Sequence, residues 1–447
     1  MTKLFDYFIY DSVGEIMEIL TKIVWVIATV MIVGVGIYLT FSLKFIQFNF
    51  LEMFRSIKSN DKKAISPFST LMLTLGGRIG VGSVAGVALA LYLGGPGSIF
   101  WMWMTAFIAA TNTFGETVLG MKYHQKDGNV YRGGAPYYIS KGLNKKWLGT
   151  FYAILIIISY IGGFIGIQAN TITKSLNQII DINPFIVGII ISVLSLFIIW
   201  GGIKKIMAAT NKIVPIMLII YLLCGLYVTI IQIEDIPYIF QNIISSAFNF
   251  QSFLGGFLPV FIIGIQRGIF SNEAGIGTGS LASSTSNIKE PVINGYVQML
   301  GIYITTLLVC TATAIMIMSS DYQNLNLSDV NGIELTLNAF YFHLDKLGHL
   351  IIMICIILFS FSTILTGYYY GESCLKFILD KPSLGIIKLL KIITCLVLLI
   401  GAVISATMLW NLIDFLVALL AIINVYTIYM LKDEIKEEVI AYKRKKC

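Results

Sequence analysis

The chain has 447 residues, 57% of them apolar or aromatic and 12% charged, against roughly a quarter charged in an ordinary soluble domain. Apolar runs of about 18 residues or more recur from end to end, so the surroundings must be lipid, and a soluble enzyme is excluded. The net charge of +7 does not signal nucleic acid, because the Lys and Arg residues lie in short segments between apolar runs with no stacking motif around them.

The opening stretch, MTKLFDYFIYDSVGEIMEIL, lacks the basic start and small-residue cleavage site of a signal peptide and is expected to stay as a short amphipathic segment. Eleven apolar runs follow, at 16–42, 66–91, 97–122, 148–174, 184–201, 206–231, 255–282, 292–318, 347–379, 383–407 and 409–431. They are continuously apolar and do not alternate every second residue, which selects helices over barrel strands. With the connecting segments assigned alternately to two sides, one side carries most of the basic residues, including those at 443–446. The other holds Lys3, Lys174 and Lys346. Basic residues favour the cytoplasmic face, which places the N-terminus outside the cell membrane and the C-terminus inside.

Two spans carry breaks. In the second, Gly76, Gly77, Gly80, Gly82 and Gly86 fall within LGGRIGVGSVAG; in the seventh, Gly264, Gly268, Gly275, Gly277 and Gly279 flank Ser271, Asn272 and Glu273. Each helix-interior glycine costs about 0.5–1 kcal/mol relative to alanine, so both segments are expected to unwind. Open backbone at mid-depth survives only where it lines a protein cavity or a ligand site. There, freed carbonyls suit a bare cation and half-helix N-termini a carboxylate. Small-residue faces for close helix packing are the competing explanation. Spacing favours the breaks: apart from the first span, two sets of five remain, and each opens on its interrupted member. Five is odd, so the second set enters the membrane from the opposite side, the pattern of an inverted repeat. The expected architecture is an all-α polytopic membrane protein of eleven spans. Residues 1–65 hold the N-terminal segment and a peripheral helix, 66–231 and 255–431 two inverted five-helix repeats, and 432–447 a basic cytoplasmic tail.

Other chemistry is sparse. The six cysteines, Cys224, Cys310, Cys355, Cys374, Cys395 and Cys447, have no metal-ligand or disulfide spacing, and His124, His343 and His349 read as surface residues. Trp101 and Trp103 suit an interfacial anchor or a vestibule wall. Arg78, Glu116, Arg267, Glu273, Glu372 and Asp414 lie in or near spans, where each is costly unless paired or wetted. Arg78 and Glu273, on the two broken helices, read as a gate or latch, or equally as a static tie; Glu116 and Glu372 read as structural partners. No Walker loop, nucleophile pair or metal cluster is present in the sequence, so an enzyme is disfavoured.

Several stretches carry a family resemblance: GGPGSIFWMW (94–103), RGGAPYYISKGL (132–143), IQANTI (167–172), QRGIFSNEAGIG (266–277) and FSFSTILTGYYYGE (359–372). Together they resemble the alanine or glycine:cation symporter family, sodium-coupled amino-acid carriers with the leucine-transporter type of fold. The resemblance implies a zwitterionic amino acid between the unwound segments. Its carboxylate would meet the amides of Gly80, Val81 and Gly82, in keeping with anion binding at a helix start. Gln168, Phe270 and Gly275 complete the implied substrate site. A sodium ion is implied at the carbonyls of Gly76 and Ile79 and the hydroxyls of Ser362 and Thr363, all-oxygen ligands that suit a hard monovalent cation. Ser83 departs from the family's Gly-x-Gly-Asn pattern, which bears on ion stoichiometry. The implied function is symport of small neutral amino acids, alanine and glycine, by alternating access. The rivals are a proton-coupled carrier using Glu273 or Glu116 and an intramembrane enzyme.

Overall fold

The structure, a computed structural model, describes residues 2–58, 65–128, 130–249, 256–322 and 332–446. The first residue of the expected seventh span, 255, and Cys447 lie outside the described residues. Helix α1 (Thr2–Ser42) starts well before the expected span, so the opening segment is continuous with it. After a short surface helix, α2 (Phe50–Ile57), the first broken span begins at α3 (Pro67–Arg78). Ser66 caps it by accepting from the Ser69 amide, and Pro67 occupies the first turn, where its missing N–H costs nothing. The chain then bends by 43° into α4 (Val81–Gly94).

Helix α5 (Gly97–Lys122) matches its expected span. A two-stranded hairpin, β1 (Gln125–Asp127) with β2 (Val130–Arg132), and α6 (Ala135–Gly142) fill the connection that follows. Helices α7 (Lys146–Ile157) and α8 (Ile165–Asn177) form one span joined by a π-helical stretch, Ile158–Phe164. The first set ends with α9 (Pro184–Ile199) and α10 (Gly202–Ile231), and α11 (Ile236–Ala247) lies in the connection.

The second set opens on α12 (Leu258–Asn272) and α13 (Thr278–Ser283), separated by a five-residue break. Helices α14 (Pro291–Tyr303) and α15 (Thr311–Met318) flank a second π-helical stretch, Ile304–Cys310. Helix α16 (Gly332–Leu379) is kinked at Asp345, which separates a short arm from the expected ninth span. Helices α17 (Leu384–Val403), α18 (Ala406–Met430) and α19 (Lys432–Lys446) complete the chain, and the basic tail is thus helical.

Every expected span coincides with a helix or a helix pair. Among the described residues seven helices, plus the bent α3–α4 pair, are long and apolar enough to cross a membrane by themselves. The other three explain themselves. Helix α5 is long enough at 26 residues but carries Thr111, Asn112, Thr113 and Glu116 on buried positions; α9 has only 16 residues; and the seventh span is split. Apolar side chains cover the outer faces of α9, α10 and α17, among them Phe197, Leu223 and Leu396, each at least half exposed. Apolar surface on that scale is tolerable only against lipid. The protein is a polytopic membrane protein built of helices, with one short β-hairpin in a connection.

The broken spans face each other: α12 packs along α4, and α13 along α3. Helix α16 runs beside α3, α4 and α8, so it closes the site from the opposite flank. Helix α1 stays at the edge, against α5 and α18. Elsewhere glycines set how closely helices approach. A methyl group on Gly401 of α17 would lie 2.5 Å from the Gly166 carbonyl oxygen of α8, whereas nothing lies within 4 Å of one on Gly86. Gly401→Ala is therefore expected to cost about 1–3 kcal/mol through overpacking. Gly86→Ala is expected to be neutral or stabilising by up to about 1 kcal/mol. Melting of the two purified variants in detergent checks the contrast.

Candidate functional site

At the first break the helical hydrogen-bond ladder stops at Ile79, whose amide still reaches the Leu75 carbonyl at 2.8 Å; the Gly80 amide turns back to Arg78 O at 3.1 Å. Gly80, at φ −135° and ψ −148°, leads the chain into α4. The Gly76 carbonyl is thereby released from its helical partner, and two hydroxyls of α16 take it: Ser362 Oγ at 3.1 Å and Thr363 Oγ1 at 3.0 Å. Thr363 also approaches the Gly77 carbonyl at 3.4 Å. On the other side of the break the Val81 amide donates to Gln168 Oε1 over 3.4 Å. A methyl group on Gly80 would come within 2.5 Å of Thr363 Oγ1 and 3.3 Å of Gln168 Oε1, so only glycine lets these two side chains close on the backbone. A cleft too narrow to admit a water molecule adjoins, lined by Gly80, Val81 and Val84 together with Thr171, Phe359 and Ser360.

Phe270 of α12 lies across Gly82, with its ring 2.9 Å from where a methyl group there would sit. It is held in an aromatic layer, stacked on Phe164 at 5.1 Å between centroids and 4.7 Å from Trp410. Beside this layer Arg267 and Asp414 form a buried two-pronged ion pair, at 2.6 and 3.3 Å. Paired charges of this kind avoid the cost that an isolated one would carry in the membrane interior.

The second break is tied shut. Glu273, Gly275 and Gly277 all take left-handed conformations, at φ 55°, 78° and 83°, which ends α12 and turns the chain into α13. Side chains then collect the exposed backbone groups. Asn272 Oδ1 accepts from the Ala274 amide at 3.0 Å, and Glu116 Oε2 from the Gly277 amide at 2.9 Å. Asn424 Nδ2 donates to the Gly275 carbonyl at 2.9 Å, and the Tyr152 hydroxyl donates to the Ile276 carbonyl. The two π-helical stretches both serve this break: Tyr160 donates to Glu273 Oε1 at 2.6 Å, Thr306 accepts from Asn272 at 3.0 Å, and Cys310 meets Ser271 at 3.0 Å. A wide helical turn pushes its side chains forward, a device that recurs at functional sites.

This architecture is shared with solved transporters. A manganese transporter of Eremococcus coleocola superposes with a TM-score of 0.54 at 15% identity, covering 80% of this chain and 74% of that one. At the sequence level the family model described as the sodium:alanine symporter family matches residues 10–447. The chain belongs to that family. Among its relatives are the amino-acid carrier protein AlsT of Bacillus subtilis, 35% identical over 94% of this chain and 90% of the relative, and the sodium/alanine symporter AgcS of Methanococcus maripaludis, 35% identical over 92% and 93%. A probable sodium/glutamine symporter, GlnT of Bacillus subtilis, is also 35% identical, over 93% and 88%. The protein is accordingly a multi-pass, cation-coupled amino-acid symporter and not an enzyme.

The symporter's structure brings most of the sequence-marked residues together. Gly76, Ser362 and Thr363 meet directly; Gly80, Val81 and Gln168 form a second group against them, and Gly82 and Phe270 a third. Ile79 is adjacent in the chain and fully buried, but the hydroxyls reach Gly76 rather than Ile79. Gly275 stands apart from these groups, packed against Val425 and Asn112 with its carbonyl taken by Asn424. Arg78 and Glu273 make no ion pair. Arg78 donates to the Gln298 carbonyl at 3.2 Å, and Glu273 is satisfied by Tyr160 and by Thr278 at 2.8 Å. The contact that does join the breaks is Ser83 Oγ with Ser271 Oγ, at 2.9 Å.

Glu116 and Glu372 are partners as read from the sequence, Glu372 to Lys376 at 2.9 Å and Arg132 at 3.6 Å. Trp101 packs among Phe248, Phe257 and Phe261, and Trp103 donates to Thr311. His124, His343 and His349 are half-buried rather than exposed. Sequence reasoning missed Asn424, Tyr152 and Tyr160, which lie in other spans and for which a polar or tyrosine residue inside an apolar run was the available signal, and Tyr138 of α6, which lies in a connection. Gly80→Ala is expected to abolish amino-acid uptake while leaving the protein folded, because the added carbon displaces Thr363 and Gln168. Size-exclusion behaviour alongside uptake into proteoliposomes checks it.

Proposed function

We propose that this protein carries small neutral amino acids, alanine and glycine, by sodium-coupled symport across the cell membrane. The distribution of Lys and Arg supports an N-terminus outside and a C-terminus in the cytoplasm. The family and the relatives named for sodium and alanine support the ion and the substrate class. The relative named for glutamine keeps the substrate a matter for measurement. In this reading the two sets of five spans, 66–231 and 255–431, are inverted repeats whose interrupted members face each other.

The observation that carries the reading is the position of Thr363. Its hydroxyl lies 3.0 Å from the Gly76 carbonyl and directly against Gly80. Sodium bound by the carbonyls of Gly76 and Ile79 with Ser362 and Thr363 would draw these hydroxyl oxygens toward the ion. The same ion would fix Gly80 and the amides of Val81 and Gly82 that receive the substrate carboxylate. Ion and amino acid would then bias one conformational equilibrium, which is what coupling requires. Gln168 would hold the substrate from α8, and Phe270 would close over it within its aromatic layer.

Radiolabelled alanine uptake into proteoliposomes tests the whole reading. Uptake is expected with an inward sodium gradient and is expected to collapse when potassium or choline replaces sodium at fixed pH. Undiminished uptake after replacement would reject sodium coupling in favour of a proton-driven carrier, and competition by unlabelled glycine and glutamine ranks the substrates. Thr363→Ala is expected to weaken sodium activation about tenfold, the loss of one charge-assisted contact of roughly 1.5 kcal/mol. Gln168→Ala is expected to weaken alanine binding with sodium activation retained; unchanged binding would remove Gln168 from the site.

A further inference from the structure

At the C-terminal end of α16 a polar cavity of about 260 Å³ opens between the β1–β2 hairpin, α6 and the turn that leads into α17. Four cationic side chains stand on its walls: Lys126 and Arg132 from the hairpin, Lys376 from α16 and Lys381 from the turn. Asp127 and Asp380 share those walls, and Glu372 lies one helical turn before Lys376. Four positive charges against three negative ones leave one without a counter-charge.

Two of the lining side chains are buried, which separates this cavity from a gathering of surface lysines: Arg132 is 5% exposed and Tyr137 of α6 is 7% exposed. The Arg132 fork is only partly used. Its Nε binds Asp127, Nη2 stands 3.6 Å from Glu372 Oε1, and Nη1 has no hydrogen-bond partner. Tyr137 packs its ring on Phe377, with centroids 4.9 Å apart, and brings its hydroxyl near Arg132, Asp127 and Asp380 without a hydrogen bond among the described residues. A phenol buried to this degree is ordinarily paired. Lys376 reaches Glu372 at 2.9 Å and Asp127 at 3.9 Å. Lys381 acts on Asp127 at longer range, and neither it nor Lys126 makes an ion pair among the described residues. Unused donors thus approach from the hairpin, from α6 and from the turn. A tetrahedral oxyanion accepts on every side, and it would supply both the missing negative charge and a partner for the Tyr137 hydroxyl.

We propose that this cavity binds a phosphate group, held by Lys126, Lys381 and the Tyr137 hydroxyl beside the Arg132 guanidinium. The phosphate is either the headgroup of an anionic phospholipid, because the proposed orientation puts this face at the cytoplasmic leaflet, or a free ion. Bound there, it would tie the hairpin to the α16–α17 turn. The site does not depend on which ion or amino acid the protein carries.

Thermal melting of the full-length protein in lipid nanodiscs reads binding without transport. In discs of phosphatidylcholine, inorganic phosphate is expected to raise the melting temperature saturably, and chloride at the same ionic strength is not. A rise that appears only when phosphatidylglycerol replaces part of the phosphatidylcholine assigns the site to a lipid headgroup. In either arm Tyr137→Phe, which removes only the hydroxyl, is expected to weaken half-saturation about tenfold, the worth of one hydrogen bond to a charged group. Lys126→Gln combined with Lys381→Gln, both at exposed positions, is expected to abolish the rise. Absence of a saturable rise from either source overturns the proposal. So does a rise that chloride reproduces, or one that the double variant keeps in full. The double variant decides the matter even if Tyr137→Phe fails to fold, since neither lysine holds an ion pair among the described residues.

Discussion

A backbone amide or carbonyl that leaves its helix inside a bilayer must find another partner in the protein, and this requirement organises the whole molecule. Both broken spans release such groups at mid-chain. Each is then met by side chains from helices distant in sequence: Ser362 and Thr363 for the Gly76 carbonyl, Gln168 for the Val81 amide, Glu116 for Gly277, Asn424 for Gly275 and Tyr152 for Ile276. Helices α5, α8, α16 and α18 therefore gather round the breaks; on α5 it is Glu116 that serves the second break, while Thr111 and Asn112 bond to the Gly36 and Ile32 carbonyls of α1. The lipid-facing helices α9, α10 and α17 carry no such duty and are apolar on their outer faces.

The parts of this design that are local could be read from the sequence. Glycine density located both breaks, and capping residues such as Ser66 before Pro67 agree with where the helices start. The Gly76–Ser362–Thr363 contact was accessible only through the family resemblance, because its partners lie 286 and 287 residues apart. No periodicity links residues at such a distance. The same holds for Asn424, which meets Glu116 across 308 residues. The two π-helical stretches were invisible for a different reason: an extra residue in one helical turn leaves an apolar run apolar. Arg78 and Glu273, read from the sequence as a gate or latch or equally a static tie, make no direct bond to each other in this structure. Both residues sit on broken helices, but left-handed Glu273 is directed to Tyr160 and Thr278, and Arg78 to the Gln298 carbonyl.

The two breaks also differ from each other in a way that bears on mechanism. At the second, five backbone and side-chain groups between Asn272 and Gly277 hold bonds of 3.0 Å or less to Thr306, Tyr160, Glu116, Asn424 and Tyr152. At the first, the bonds are longer, 3.0 to 3.4 Å, and are made by hydroxyl and amide side chains that can turn toward a ligand. A well-bonded break is a fixed corner, while a loosely bonded one with mobile donors is receptive. Differential interaction with a ligand is what shifts a conformational equilibrium. On the proposed reading an ion and a zwitterion would meet the Gly76–Ser83 segment, with the more closely bonded Asn272–Gly277 segment facing it. The Ser83–Ser271 contact, with the Phe270 ring beside it, lies within the packing of α4 along α12.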